Sequence, residues 1–201
     1  MKYISFVLAI VCTVVFGLQL AMPMVTDLFV LESSRVLINP WILVTSIFLH
    51  ESVSHLVFNM FALLLFGFIL ENIIGTRKFL FLFFAGGICA GIASAVFYQA
   101  SLGASGAIFA VIGCLAVLRP KMIVWAIGVP MPMFIAAIFW ALIDLAGIFY
   151  PSNVANAAHL GGLIFGVIFA SIVRKNYKQH KEKEKNVLNK KQISDWENDY
   201  L

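Results

Sequence analysis

Charge is scarce in this chain. Only 12% of its 201 residues are Asp, Glu, Lys or Arg and 62% are hydrophobic, a balance that excludes an ordinary soluble domain. Sulfur ligands are scarce too. Cys12, Cys89 and Cys114 each stand inside an apolar run, where cysteine serves as a small buried hydrophobe, so neither a disulfide framework nor a thiolate metal site is expected. No carboxylate or thiolate stands at a recognisable ligand spacing from His50, His55 or His159, so no metal and no cofactor is expected. Inverted repeats and paired intramembrane charges, which would favour a small transporter or channel, are missing as well. The net charge of +4 gives no sign of nucleic-acid binding; its distribution reads instead as membrane topology, with contact to anionic lipid.

What the chain has in quantity is apolar runs. A transmembrane helix needs about 20 mostly apolar residues, and six candidates stand at 4–22, 53–72, 79–98, 104–118, 131–149 and 156–173. The first run is long and is followed by no small-x-small cleavage site, so it is expected to be retained as a helix rather than removed as a signal peptide. Residues 1–173 are thus expected to form a six-helix membrane core. Residues 174–201, rich in Lys, Glu and Asn, form a polar tail with no apolar periodicity to build a core. With the N-terminus inside, thirteen of the fourteen basic residues fall on the cytoplasmic side and only Arg35 falls outside. That is the positive-inside pattern, and it places both termini in the cytoplasm of a multi-pass cell-membrane protein.

This topology assigns depths to the few polar residues. The fourth run spans about 15 residues, or ~22 Å, against a hydrocarbon core of ~30 Å. Its inner end is set by Arg119 and Lys121, so the shortfall lies outside and Ser105 should sit below the outer surface. Irregular backbone at that depth is tolerated only inside protein or along a water-filled cavity, which implies an outward-facing hollow with Ser105 on its floor. His159, about one turn into the sixth run, reaches a similar depth. Gly106, Ala110 and Gly113 on one helix and Gly162 and Gly166 on the other permit close small-xxx-small packing. Such a crossing could bring imidazole and hydroxyl within the reach an activated serine requires. His55 and Asn59, four apart on the second run, share a face at the same outer depth, where side-chain donors could hold an oxyanion. Each residue also has a plainer reading. Ser105 could be helix packing, Asn59 an interhelical hydrogen bond, and Glu71 and Asp144 structural, with Asp144 a conceivable orienting partner for His159. The convergence of Ser105, His159, His55 and Asn59 on one depth favours catalysis over chance.

These residues resemble the rhomboid family of intramembrane serine proteases, over nearly the whole hydrophobic region. "HESVSHLVFN" resembles the family's second-helix signature, "GASGAIFA" its GxSG serine helix and "NAAHLGGLIFG" its AHxxG histidine helix. The resemblance implies an all-α, six-transmembrane-helix bundle acting as a serine endopeptidase. It implies Ser105 as nucleophile and His159 as general base in a dyad without a required acid. His55 and Asn59, with the Ser105 backbone N–H, are implied to hold the oxyanion, and Gly103 to shape the active-site loop. Trp41 matches the tryptophan of a long first loop that lies sideways in the membrane. Two positions depart from the family. Ile42 stands where an arginine is usual, which touches a loop contact rather than the chemistry, and Phe109 replaces a tyrosine while keeping the ring on which the histidine packs. The partners implied are single-pass membrane proteins as substrates and the bilayer itself. The competing class is a non-catalytic rhomboid-like protein that binds membrane clients, against which the intact Ser105 and His159 argue.

Overall fold

In the computed structural model, which describes residues 3–150, 154–174 and 177, the chain begins with α1 (Ile4–Ala21) and a short α2 (Met24–Phe29). A segment of brief elements follows: β1 (Leu31–Glu32), a tight turn at Ser33–Arg35, α3 (Ile42–Thr45) and another at Ser46–Phe48. The next helix rises as α4 (Val53–Ala62), loosens into one π-helical turn at Leu63–Gly67 and continues as α5 (Phe68–Ile74). Then come α6 (Thr76–Phe97), β2 (Ala100–Ser101) and α7 (Ser105–Leu118). A hairpin of β3 (Ile123–Ala126) and β4 (Val129–Pro132) leads into α8 (Met133–Gly147), and α9 (Asn156–Arg174) completes the bundle.

Four of these helices are long and apolar enough to cross a bilayer: α1, the continuous Val53–Ile74 helix, α6 and α9; α7 and α8 are shorter apolar helices. Large apolar side chains such as Phe58, Phe61, Phe81, Ile92, Val96 and Ile172 stay exposed on the outer faces. A bundle this apolar outside and inside is at home in lipid. The chain is an all-α multi-pass membrane protein, and all six runs expected from the sequence form helices. The Lys-rich tail, apart from Arg174 and Tyr177, falls outside the described residues.

Where helices cannot gain from expelling water, small residues and buried polar contacts hold them together. The central helix is α7, with Gly106, Ala107, Ile108, Ala110, Val111, Ile112 and Gly113 all buried. Its contact with α9 is backbone against backbone, since a Cβ on Gly162 would collide with the Gly106 carbonyl oxygen and one on Gly166 with that of Ala110. Glu71 ties the start of α1 to the end of α5. Its carboxylate accepts from the Tyr3, Ile4 and Ser5 N–H groups at 3.0, 3.0 and 3.1 Å, and from the Ser5 and Thr76 hydroxyls. A negative charge at a helix N-terminus meets both the unpaired donors and the positive end of the dipole.

Candidate active site

Ser105 is the first residue of α7, preceded by Ala104, which makes no side-chain cap. The opening N–H groups of the helix therefore have no intrahelical partner and carry the positive end of its dipole. The strand leading to Ser105 is pinned at several points. Leu31 and Glu32 pair antiparallel with Ser101 and Ala100. The Ser94 hydroxyl donates to that of Ser101 at 2.7 Å, and the Gly103 N–H donates to the Ser46 carbonyl at 2.9 Å. Gly103 has φ 123°, and a Cβ there would fall within 2.9 Å of the His55 ring. Both the backbone angle and the close imidazole require glycine.

The α7–α9 contact carries the next element in. His159 lies one turn before Gly162 on the same helix, so close packing at Gly106 brings its ring to the start of α7. Ser105 Oγ lies 2.9 Å from His159 Nε2. On the other side of the ring, Nδ1 lies 2.9 Å from Asp144 Oδ1 of α8. Phe109 stacks on the imidazole with centroids 4.3 Å apart and planes 4° from parallel. Asp144 is 4% exposed and its second oxygen has no hydrogen-bond partner among the described residues. A carboxylate that accepts from Nδ1–H fixes the tautomer and leaves the Nε2 lone pair for the serine hydroxyl.

The second pair of sequence candidates lies on α4. The buried Asn59 donates one of its two amide hydrogens to the His55 carbonyl at 2.8 Å. The His55 ring faces Gly103, two residues before Ser105. His50, in the loop before α4, packs edge-on against His55 at 5.2 Å. Its backbone is gripped by Gln19 of α1: the His50 N–H donates to Oε1 at 2.9 Å and Nε2 donates back to the His50 carbonyl at 3.2 Å. Neither ring nitrogen of His50 has a partner among the described residues. Burial, reinforced by His55, lowers its pKa to about 4.

Beside Ser105 is a cavity of about 30 Å³, lined mainly by small residues that include Gly87, Ala90, Gly106 and Ala158, with hydroxyls from Ser46 and Ser101. That is room for a methyl group or about two waters, not for a folded helix. Trp41 immediately precedes α3 and is half exposed, while Ile42 is fully buried. An apolar side chain is what that interior position accepts. Three contributors escape a reading of sequence: the reach of Asp144, the clamp by Gln19, and Tyr98, whose hydroxyl accepts from the Ala157 N–H at 3.2 Å and so ties α9 to the end of α6. The only sequence signal for Gln19 and Asp144 is a lone polar residue in an apolar run.

The family model for the Rhomboid domain matches residues 39–176, more than half of the chain. The chain is 40% identical over 135 residues to the rhomboid protease GluP of Bacillus subtilis, a stretch covering 65% of this chain and 25% of that protein. It is 29% identical over 134 residues to the rhomboid protease GlpG of Yersinia pseudotuberculosis, covering 65% and 47% of the two chains. With the human mitochondrial presenilin-associated rhomboid-like protein it shares 34% identity over 149 residues, covering 69% and 39%. It therefore spans about a quarter to a half of the length of these curated relatives. Matched across its helical core by the family model and by relatives from bacteria to mitochondria, the chain belongs to the rhomboid family.

Proposed function

We propose that the protein is an intramembrane serine endopeptidase that cleaves transmembrane segments of single-pass membrane proteins near the outer face of the cell membrane. The observation that carries this reading is the continuous line from the Asp144 carboxylate through His159 to the Ser105 hydroxyl, with both links at 2.9 Å. A serine hydroxyl is a weak nucleophile until a positioned base takes its proton.

In the proposed reaction Ser105 Oγ attacks the scissile carbonyl while His159 Nε2 takes the hydroxyl proton. The electron pair moves onto the carbonyl oxygen, which the Ser105 N–H at the start of α7 stabilises together with the side chains of Asn59 and His55. The intermediate collapses as imidazolium His159 gives its proton to the leaving amine. Water entering from the outer side then hydrolyses the acyl-enzyme by the same steps in reverse roles. Asp144 holds the His159 tautomer throughout, so the centre works as a dyad assisted by a carboxylate. Phe109 supports the ring, and Gly103 keeps the approach to Ser105 open.

The site lies at the N-terminal ends of α4, α7 and α9. The distribution of basic residues supports a topology with those ends outside and both termini in the cytoplasm. Incubating the purified protein with a panel of transmembrane substrates, beside a Ser105→Ala control, tests the reading. The expected result is cleavage by the wild-type chain and none by the variant, whose alanine preserves helix packing and removes only the hydroxyl. Cleavage that survives in Ser105→Ala overturns the assignment of the nucleophile.

A further inference from the structure

At the end of the bundle opposite Ser105, the chain between α7 and α8 forms the β3–β4 hairpin rather than a simple loop. The register is Ile123↔Pro132, Val124↔Met131, Trp125↔Pro130 and Ala126↔Val129. Apart from the indole N–H of Trp125, residues 122–133 carry no polar side-chain group. Alternation along β3 turns Val124 and Ala126, 6% and 2% exposed, toward the bundle. It turns Ile123 and Trp125 outward at 61% and 74% exposure. The two-residue turn is Ile127–Gly128, with φ of 49° and 79°. That geometry ordinarily selects Asn-Gly, and a β-branched residue at positive φ costs about 1–2 kcal/mol. Here the strained position is held by isoleucine, and its side chain is 68% exposed. The backbone cost is the same in any surroundings, but the exposed apolar side chain is unfavourable in water and favourable in lipid.

The edge of the hairpin is unusual in the same direction. Residues flanking a two-residue turn form a hydrogen-bonded pair, and such pairs alternate along the ladder. The Met133 N–H to Met122 carbonyl bond, at 2.7 Å, continues that alternation. The N–H groups of Val129 and Met131 therefore point inward to β3, and the two outward positions on β4 belong to Pro130 and Pro132, which have none. The outer edge of β4 presents no unpaired donor. With no N–H to donate, this edge is a poor template for a further strand, while the outward carbonyl oxygen of Pro130 still needs a donor such as interfacial water. Just before the hairpin, Arg119 and Lys121 are both exposed, as cations beside lipid phosphates are. The apolar face also runs on into the lipid-facing side of α8, where Phe134, Ile135 and Ile138 are exposed.

We propose that this hairpin is a membrane-interface anchor. It seats Trp125 and Ile127 at the boundary between headgroups and acyl chains, and so fixes the depth at which α8 begins. A two-stranded ribbon keeps free backbone groups on its outer edges, N–H and C=O on β3 and C=O on β4, which places it in the interface and not in the hydrocarbon. Tryptophan is enriched at that level. The occupant of the exposed face is lipid, and the inference stands independently of the protease reading.

The test uses the full chain in nanodiscs, with Trp41, Trp140 and Trp196 replaced by Phe so that Trp125 alone reports. Its emission is expected to be quenched by phosphatidylcholine brominated near the headgroup end of its chains and to resist aqueous iodide. Quenching by iodide without quenching by bromolipid means a water-exposed hairpin and overturns the proposal. Protection from both means a protein partner, such as a second copy of the chain, and overturns it too. Ile127→Asn keeps the preferred turn chemistry while removing the apolar tip, so bromolipid quenching of Trp125 should fall by about half or more; undiminished quenching shows that the tip does not insert. Should the triple variant not fold, the wild-type chain can be labelled with a lipid carrying a photoactivatable diazirine near its headgroup. Labels on residues 123–130 are expected. A hairpin left unlabelled while α8 is labelled refutes the anchor.

Discussion

Asp144 of α8 and His159 of α9, 15 residues apart in sequence, meet at 2.9 Å on the side of the imidazole away from Ser105. The carboxylate is almost completely buried, and an ionisable group in that setting is costly unless it is paired. In the proposed mechanism, its pairing with the nitrogen that sets the tautomer of His159 gives it a use in the chemistry beyond packing.

Replacing Asp144 by Ala should therefore lower kcat by about 10–10²-fold with little change in KM, because the lost group acts on the base rather than on the substrate. Asp144→Asn should lie between wild type and Ala, since its carbonyl can still accept from Nδ1–H in one of two amide orientations. Cleavage kinetics on one substrate, with labelling by a serine-reactive fluorophosphonate as a second readout, check this. An unchanged kcat in Asp144→Ala, or a loss confined to KM, returns Asp144 to a structural role.

The approach of Ser105 to His159 depends on two helices touching through their backbones. A Cβ at Gly162 would strike the Gly106 carbonyl, so Gly162→Ala must push α9 away from α7. Overpacking of this kind costs about 1–3 kcal/mol, and displacing a catalytic pair by about 1 Å costs on the order of 10²-fold in rate. The variant should keep its helix content by circular dichroism while labelling by fluorophosphonate slows by about that factor. Wild-type labelling would show that the crossing distance does not set the site.

How much of this was legible in the sequence follows from the physics of each feature. Apolar length alone marked all six helices, because a bilayer admits few other solutions. That Ser105 and His159 could meet was readable from their common depth and from Gly106, Ala110, Gly113, Gly162 and Gly166, whose spacing requires no side-chain detail. The contact of Asp144 with His159 was only conceivable from sequence, since it depends on the rotation of α8 and on where a four-atom side chain ends. The hairpin was not visible. Residues 122–133 merge into the apolar run of α8, short apolar stretches do not distinguish strand from helix, and Ile127–Gly128 lacks the usual turn signature. Gln19 reads as one more polar residue near a helix end until its amide is seen gripping the backbone of His50.

His50 supplies a pH dependence of stability. Its folded pKa of about 4 lies below the ordinary histidine value of 6.5, because burial and the neighbouring His55 oppose the charge. Between those values the unfolded chain holds the extra proton and the folded chain does not. The contribution is thus fully present above about pH 6.5 and is lost as the pH falls toward 4, by on the order of 3 kcal/mol. The thermal midpoint of the chain in detergent should fall over that window. His50→Met, of similar volume and with no group to charge, should show a shallower fall. Equal slopes for the two proteins would remove His50 as the cause.

In the proposed reaction, the size of the hollow bears on the choice of substrate. The cavity beside Ser105, of about 30 Å³, is lined by glycine, alanine and serine with few larger side chains, so it accepts a small side chain and not an intact helix. A peptide bond inside a stable transmembrane helix is shielded by its own hydrogen bonds and side chains. It must unwind locally before its carbonyl can reach Ser105. Cleavage is therefore expected next to Ala or Gly near the outer membrane boundary, in substrates whose helix is weakened by Gly or Pro nearby. If unwinding precedes attack, its free energy adds to the barrier. Replacing a helix-weakening Gly by Leu should then slow cleavage by about fivefold, and replacing a Pro by on the order of a hundredfold, in line with their helix propensities of roughly 1 and 3 kcal/mol. Initial rates in proteoliposomes, at matched substrate density and with the scissile residue unchanged, provide the measurement. Equal rates for the Leu-stabilised and parent substrates would show that the enzyme selects by side-chain fit alone and that unwinding costs it nothing.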